Sequence, residues 1–155
     1  MDNPLKNTVT DSRDLIEYRE HLEQEILDEY ISWVENHNEH CEEGEELEIP
    51  YSFEDIEFID EEAFTMTCED TLEEYEDIKS FCEQLEDYGD FQYGESIISE
   101  HYFTEAMQEL CEDIGDVKDL PAYISNNIDW DAVADDLKAD YTEETYKGVT
   151  YFMRA

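Results

Sequence analysis

The sequence predicts an α+β fold that is mostly helical, with a helical lobe and a smaller lobe of a C-terminal helix plus a β-hairpin. Apolar residues recur at helical spacing in four segments, and two β-prone runs near the C-terminus flank Lys147-Gly148. At 155 residues the chain is long enough for one domain or two small lobes. We expect an acidic helical region over residues 1–90 and a second region over 91–155, unless the two form one continuous domain.

The first helix is predicted over Arg13–Glu39, after a loose tail at Met1–Val9, because Thr10-Asp11-Ser12 offers N-cap residues. At about 100° per residue, one side carries the apolar residues Leu15, Leu22, Ile26, Tyr30 and Trp33. The opposite side carries the carboxylates Glu17, Asp28 and Glu35, flanked by Glu20 and Glu25. On one helix alone, such a face is equally typical of simple solvation.

The segment Leu47–Cys68 supports two interpretations. Alternation at Leu47, Ile49, Tyr51 and Phe53 suggests a short strand. The segment is therefore either a hairpin or an irregular connection with one helical turn. A core edge would be covered by Ile56, Phe58, Ile59, Phe64 and Met66.

A second helix is predicted over Asp70–Tyr88, with Gly89 just beyond its end. Its buried stripe consists of Leu72, Tyr75, Ile78, Cys82 and Leu85. Its far face carries Glu73, Glu76, Glu83 and Asp87. This is a second acidic face on a separate helix.

Two further helices and a hairpin complete the prediction. The third helix runs from about Ser99 to Ile114, with a core side of Tyr102, Phe103, Ala106, Leu110 and Ile114. Its other side carries Glu105, Glu109, Glu112 and Asp116, at i, i+4, i+7 and i+11. A fourth helix follows over Trp130–Asp140, with Trp130, Val133, Ala134 and Leu137 inward, and then a hairpin over Tyr141–Arg154.

Charge is the most unusual property of the chain, at a net −39. Between Glu20 and Ile78 there is no lysine or arginine, while 12 acidic residues lie in Glu20–Glu48 and 12 in Glu54–Asp77. Folded domains normally intersperse both signs, because like charges destabilise the compact state. The pattern argues against direct nucleic-acid or membrane binding and predicts a strongly basic protein partner.

Residue patterns for catalysis, metal or cofactors are missing. We find no Gly-rich phosphate loop, nucleophile elbow or calcium-loop motif, and eight basic residues leave few cations for catalysis. The run His37–Cys41 has ligand residue types without a second cluster at zinc-finger spacing. We expect no enzyme, no metal and no cofactor. Four scattered cysteines without C-x-x-C spacing, no signal peptide and no long apolar run indicate the cytosol.

Three periodic acidic faces on three helices favour mimicry of duplex DNA. B-DNA carries one charge per ~1.7 Å of axis, so a net −39 equals the phosphate charge of about 20 base pairs. Helix carboxylates lie ~5–6 Å apart, and several helices or a dimer would raise the density. We expect a homodimer, with the contact near Tyr141, Tyr146, Tyr151 and Phe152, which exceed what a small hairpin can bury.

A set of short motifs lies within Gln92–Arg154. They are Tyr93-Gly94-Glu95-Ser96, Tyr102-Phe103-Thr104-Glu105, Gln108-Glu109-Leu110-Cys111-Glu112-Asp113-Ile114-Gly115, Ile128-Asp129-Trp130, Ala132, Ala134, Leu137, Asp140-Tyr141 and Gly148-Val149-Thr150-Tyr151. These motifs resemble the C-terminal part of ArdA-type antirestriction proteins, phage and mobile-element DNA mimics that block type I restriction–modification enzymes. The resemblance implies phosphate-mimicking roles for Glu105, Glu109, Glu112 and Asp116, with Asp131 and Asp135. The N-terminal sheet domain of long ArdA proteins is not visible here.

The leading hypothesis is an antirestriction DNA mimic acting in the host cytoplasm. The alternative is an inhibitor of another DNA-handling defence protein, such as a CRISPR effector or a nuclease, by the same charge mimicry. A third interpretation, a halophilic acidic protein without a specific partner, fits poorly with 13% aromatic residues and the base-free block. Folding at low salt would separate it from a mimic.

Overall fold

A computed structural model describes residues 1–56 and 62–155 and confirms the mostly helical α+β fold. Its helices are α1 Ser12–His40, α2 Glu62–Thr67, α3 Glu69–Glu86, α4 Phe103–Asp113, α5 Ala122–Ser125 and α6 Trp130–Leu137. Its strands are β1 Val9–Asp11, β2 Ser96–Ser99, β3 Tyr141–Tyr146 and β4 Val149–Arg154. Short 3-10 turns lie at Pro4–Lys6, Phe53–Asp55, Phe91–Tyr93 and Lys138–Asp140.

The chain divides into two compact units. Met1 and Glu17–Ser80 form one, called the helical unit below, and Asp2–Ile16 with Phe81–Ala155 form the other, called the sheet unit. The sheet unit takes in Asp2–Ile16 and 81–90, which were expected to belong to the acidic N-terminal region. The division into residues 1–90 and 91–155 remains a prediction about composition and resemblance.

In the helical unit, α3 buries the stripe that the sequence predicts, and α1 buries part of its stripe. Leu72, Tyr75 and Ile78 of α3 are buried, as are Leu22 and Ile26 of α1, while Tyr30 and Trp33 are half-buried. Phe64 of α2 is fully buried, and its ring meets Tyr30 edge-on at a centroid distance of 5.1 Å. Burying such a ring stabilises the unit by about 2–3 kcal/mol. Met66 is 74% exposed and does not cover the core, and Phe58 and Ile59 lie outside the described residues.

The connection after α1 is irregular, and the strand expected at Leu47–Phe53 does not form. The side chain of Asn38 replaces a strand partner, because its amide donates to the Leu47 carbonyl at 2.9 Å and accepts from the Leu47 N–H at 2.8 Å. Phe53 packs edge-on against Tyr75 at 5.1 Å. Of the two open interpretations, the irregular connection with one helical turn describes residues 41–56.

In the sheet unit, four antiparallel strands are ordered β1-β2-β4-β3. The predicted hairpin is confirmed, with Tyr146 opposite Val149 and Tyr141 opposite Arg154. Its two-residue turn has positive φ at Lys147 (45°) and Gly148 (82°), as a type I′ hairpin turn requires. Of the strands, β1 and β2 were missed, because each is shorter than a recognisable alternating run.

Both faces of this sheet are covered. On one face, Ile98 and Phe152 pack with Phe103, Met107 and Ala134 of α4 and α6. On the other, Phe81 meets Tyr146 and Tyr151 edge-on at 5.8 and 5.6 Å. Because both faces are covered, three consecutive residues of β4, Tyr151, Phe152 and Met153, are all buried.

The structure corrects three expectations for this unit, in whole or in part. The third helix begins at Phe103 and not near Ser99, because Ser96–Ser99 is drawn into the sheet between β1 and β4. Of its predicted core side, Phe103 is buried and Tyr102, Ala106 and Leu110 pack partly buried against the same core, but Ile114 is 63% exposed. Met107 and Cys111, which are buried, were missed. The N-terminal tail is not loose: Pro4 and Leu5 are buried, and the Leu5 carbonyl accepts from the Tyr151 hydroxyl at 2.8 Å.

The reason for placing a dimer contact at the hairpin, that its aromatic residues could not be buried within the chain, is also wrong. Tyr146, Tyr151 and Phe152 are 5–7% exposed, because the two faces of the sheet are covered within the chain itself. Tyr141 is half-buried, with its ring edge-on to Phe103 at 5.2 Å. Homodimerisation remains a prediction, and these aromatics are not available as its contact surface.

Candidate anionic surface

Every carboxylate predicted to contribute to binding is exposed. In the helical unit these are Glu17, Glu20, Glu25, Asp28 and Glu35 on α1 and Glu73 and Glu76 on α3. In the sheet unit they are Glu83 on α3, Asp87 just past its end, Glu105, Glu109 and Glu112 on α4, Asp116 past α4, and Asp131 and Asp135 on α6.

Two tyrosine–carboxylate pairs link α1 and α3 within the helical unit. Tyr18 of α1 donates to Glu74 of α3 at 3.4 Å, and Tyr75 of α3 donates to Glu23 of α1 at 3.3 Å. Burial and the neighbouring Glu23 carboxylate raise the pKa of Tyr75 to about 12, so its hydroxyl remains a donor at neutral pH. These two half-buried carboxylates were missed, because only the packing of the helices brings a tyrosine to each.

Other carboxylates of the helical unit are held by residues one turn away. Gln24 donates to Asp28 at 2.8 Å, and the His21 ring lies 3.5 Å from Glu25. Glu25, Asp28 and Glu29 also line a shallow cavity of about 310 Å³ with Ser32 and with Thr71 of α3. The i, i+4 spacing of Gln24 and Asp28 is the signal that could have predicted this contact.

In the sheet unit, neutral donors hold three of the predicted carboxylates. Tyr102 donates to Glu109 at 2.7 Å, and Gln108 donates to Glu112 at 2.9 Å. Thr104 of α4 donates to Asp131 of α6 at 3.0 Å, which ties the two helices together at their surface. The bond to Glu109 raises the pKa of Tyr102, because ionising the hydroxyl would place two negative charges together.

These contacts fix side-chain position without cancelling charge. A neutral hydroxyl or amide orders a carboxylate, whereas a lysine or arginine would neutralise it. Asp135 differs, because Lys138 lies 2.8 Å from it and also above the Phe103 and Phe152 rings. Arg13 likewise pairs with Asp11 at 2.7 Å and holds the pKa of that carboxyl below its usual range.

The histidine and cysteine side chains near the end of α1 are engaged in other contacts. The His37 ring stacks on Trp33 at 5.7 Å, and His40 contacts the Asn36 carbonyl at 2.8 Å. Among residues 1–56 and 62–155, no three His, Cys, Asp or Glu side chains are placed to hold a metal ion. All four cysteines are free thiols, and burial raises the pKa of Cys68 and Cys111.

No helix in the described ranges is both long and apolar enough to cross a bilayer. No family model, curated protein or solved structure matches the chain.

Proposed function

We propose that this chain is a non-enzymatic DNA mimic. It occupies the DNA-binding cleft of a host restriction–modification enzyme in the host cytoplasm, and a type I enzyme is the favoured target. The observation that carries the proposal is that the predicted carboxylates are exposed on helices, and that neutral donors order several of them with their charge intact.

The geometry of α1 shows how much one helix can contribute. Glu17 and Glu35 are 18 residues apart, or about 27 Å along the axis, the length of roughly 8 base pairs. Five predicted carboxylates over that length correspond to about a third of the phosphates on such a duplex. One helix is therefore too sparse, and the proposal requires several faces to act together.

The choice of target rests on the resemblance of Gln92–Arg154 to ArdA-type proteins. The alternative target, a CRISPR effector or another nuclease, would bind the same carboxylates, because every duplex-binding cleft presents basic side chains. Assembly into a homodimer would present each face twice, and light scattering at micromolar concentration measures it directly.

The direct test is competition for a purified type I restriction–modification enzyme. A labelled duplex carrying the enzyme's site is bound, the chain is added, and release is followed by fluorescence anisotropy. We expect release to rise with chain concentration and to weaken as salt increases, since the screening length falls to ~3 Å at 1 M salt. A CRISPR effector and a nuclease, assayed in parallel, test the alternative targets.

Two outcomes count against the proposal. If the chain releases duplex from none of the three enzymes, DNA mimicry is excluded. Binding that persists unchanged at ~1 M salt, while duplex fails to displace the chain, would show a different mode of recognition. A chain that unfolds at low salt would instead support the halophilic interpretation.

A further inference from the structure

A cavity of about 740 Å³ lies in the helical unit, and none of the predicted binding carboxylates is among its described lining residues. Tyr30 of α1 forms part of its wall, and the connection after α1 supplies Glu48, Ile49, Tyr51, Glu54 and Asp55. No basic residue is among the described residues that line it. Its volume falls in the range of small-ligand pockets, roughly 300–1,000 Å³.

The walls of this cavity are anchored by packing and hydrogen bonds. The Tyr30 ring is held between Phe64, edge-on at 5.1 Å, and Trp33 at 5.8 Å. On the other side, the paired hydrogen bonds between Asn38 and Leu47 fix the start of the connection. Contacts within the helical unit therefore hold these parts of the cavity wall in place.

Residues Ser52–Asp55 of the connection are also held in place by contacts. Phe53 packs on Tyr75, and Asp55 accepts hydrogen bonds from the Ser52 N–H at 3.0 Å and hydroxyl at 3.1 Å. This places Glu54 and Asp55 on a short 3-10 turn beside the cavity. The carboxylates lie on an anchored loop.

The lining combines negative charge with exposed apolar surface. Tyr51 is 98% exposed and Ile49 is 48% exposed, so both offer surface that the described chain leaves uncovered. A guanidinium suits this combination, because it is planar, donates to carboxylates in pairs and stacks on aromatic rings. The methylene stem of an arginine can pack on Ile49. A lysine ammonium would satisfy the charge but makes neither the paired nor the stacked contact.

We infer that this cavity binds the arginine side chain of a basic protein segment. The inference rests on the proposed function in one respect, that the partner is a basic protein. The cavity would recognise the shape of one side chain, whereas the acidic faces act through the density of their charge. Arginine at this position contributes specificity that phosphate mimicry alone does not supply.

The probe is a capped Gly-Arg-Gly tripeptide, titrated into the full ¹⁵N-labelled chain at about 150 mM salt. Matched peptides carry lysine or the neutral isostere citrulline in place of arginine. We expect saturable shifts of the Ile49 and Tyr51 amides with arginine, roughly fivefold weaker binding with lysine, and no shifts with citrulline. Equal binding of arginine and lysine, or shifts spread over α4 and α6, would overturn the inference.

Two double variants separate the cavity from bulk charge. Glu48→Gln with Glu54→Gln removes two cavity carboxylates, while Glu42→Gln with Glu43→Gln removes two exposed ones from the same connection. We expect the first to weaken arginine-peptide binding about tenfold and the second less than twofold. Tyr51→Ser, at a fully exposed position, should weaken it without loss of charge or fold. Equal losses in the two double variants would show bulk electrostatics alone.

The peptide titration needs no restriction enzyme, so the two proposals fail separately. Arginine binding at the cavity without duplex release would remove the restriction–modification target. Duplex release with arginine shifts spread over the acidic helices would remove the cavity site.

Discussion

Replacing Glu105, Glu109, Glu112 and Asp116 together by their amides should weaken partner binding and slightly stabilise the fold. All four are exposed in the sheet unit, three on α4 and Asp116 beyond its end. The amide variants keep side-chain shape, and the amide oxygens can still accept from Tyr102 and Gln108. The change therefore removes charge with little change in geometry.

The expected loss of binding free energy and the expected gain in stability both follow from the exposed positions of these side chains. An exposed carboxylate contact contributes ~0–1 kcal/mol, so four lost contacts come to about 2 kcal/mol, or roughly thirtyfold in Kd. Three like-charged pairs that include a replaced residue lie at i, i+3 or i, i+4 spacing on α4: Glu105 with Glu109, Glu109 with Glu112, and Glu109 with Asp113. Each costs ~0.2–0.5 kcal/mol, so their removal should raise the free energy of unfolding by up to about 1.5 kcal/mol.

The measurements are duplex-competition anisotropy for binding and urea denaturation for stability. The matched control replaces Asp2, Asp90, Asp119 and Asp140 by asparagine, removing four exposed charges at scattered positions of the same unit. The control variant should lose less than a third of the binding free energy that the quadruple α4 variant loses. An equal loss would refute the role of the α4 face, and complete loss from Glu109→Gln alone would indicate a single dominant site.

Other predictions test the fold and its charge. Raising salt from about 50 to 500 mM should increase the free energy of unfolding, measured by urea denaturation, while it weakens partner binding. Ser12 is buried and accepts from the Glu95 N–H at 2.8 Å, so Ser12→Ala should cost about 1–3 kcal/mol in the same assay. Gly94 has φ 103°, and an added Cβ would lie 2.7 Å from the Arg13 Nε, so Gly94→Ala should lower Tm. Adding Arg13→Ala to that variant should restore only part of the loss, because it removes the close contact and leaves the unfavourable φ. The folded-state pKa of Tyr75 is about 12, above its ordinary 10.0. Its contribution to the free energy of unfolding is therefore fully present below pH 10 and is lost as the pH rises toward 12. Tyr75→Phe should flatten that alkaline loss in pH-dependent denaturation, and an unchanged slope would refute the assignment.

The sequence alone determined the elements whose signals are local. The long first helix begins at Ser12 and ends at His40, within one residue of its prediction, because caps and helical periodicity lie within the segment itself. The stripe of Leu72, Tyr75, Ile78, Cys82 and Leu85 is buried as predicted, and the Lys147-Gly148 turn forms. Exposure of the predicted carboxylates follows from the same periodicity, because a charged side opposite an apolar stripe faces water.

Contacts between distant segments were decided only by the tertiary structure. Strands β1 and β2 exist because Val9–Asp11 pairs with Ser96–Ser99, nearly ninety positions later, and neither has enough alternation to be recognised alone. The bonds from Tyr18 to Glu74 and from Tyr75 to Glu23, and the cavity beside Tyr30, likewise join residues far apart in the chain or placed by an irregular connection. A periodic pattern reports which side of an element is apolar, whereas the partner of that side depends on packing free energy summed over the whole unit.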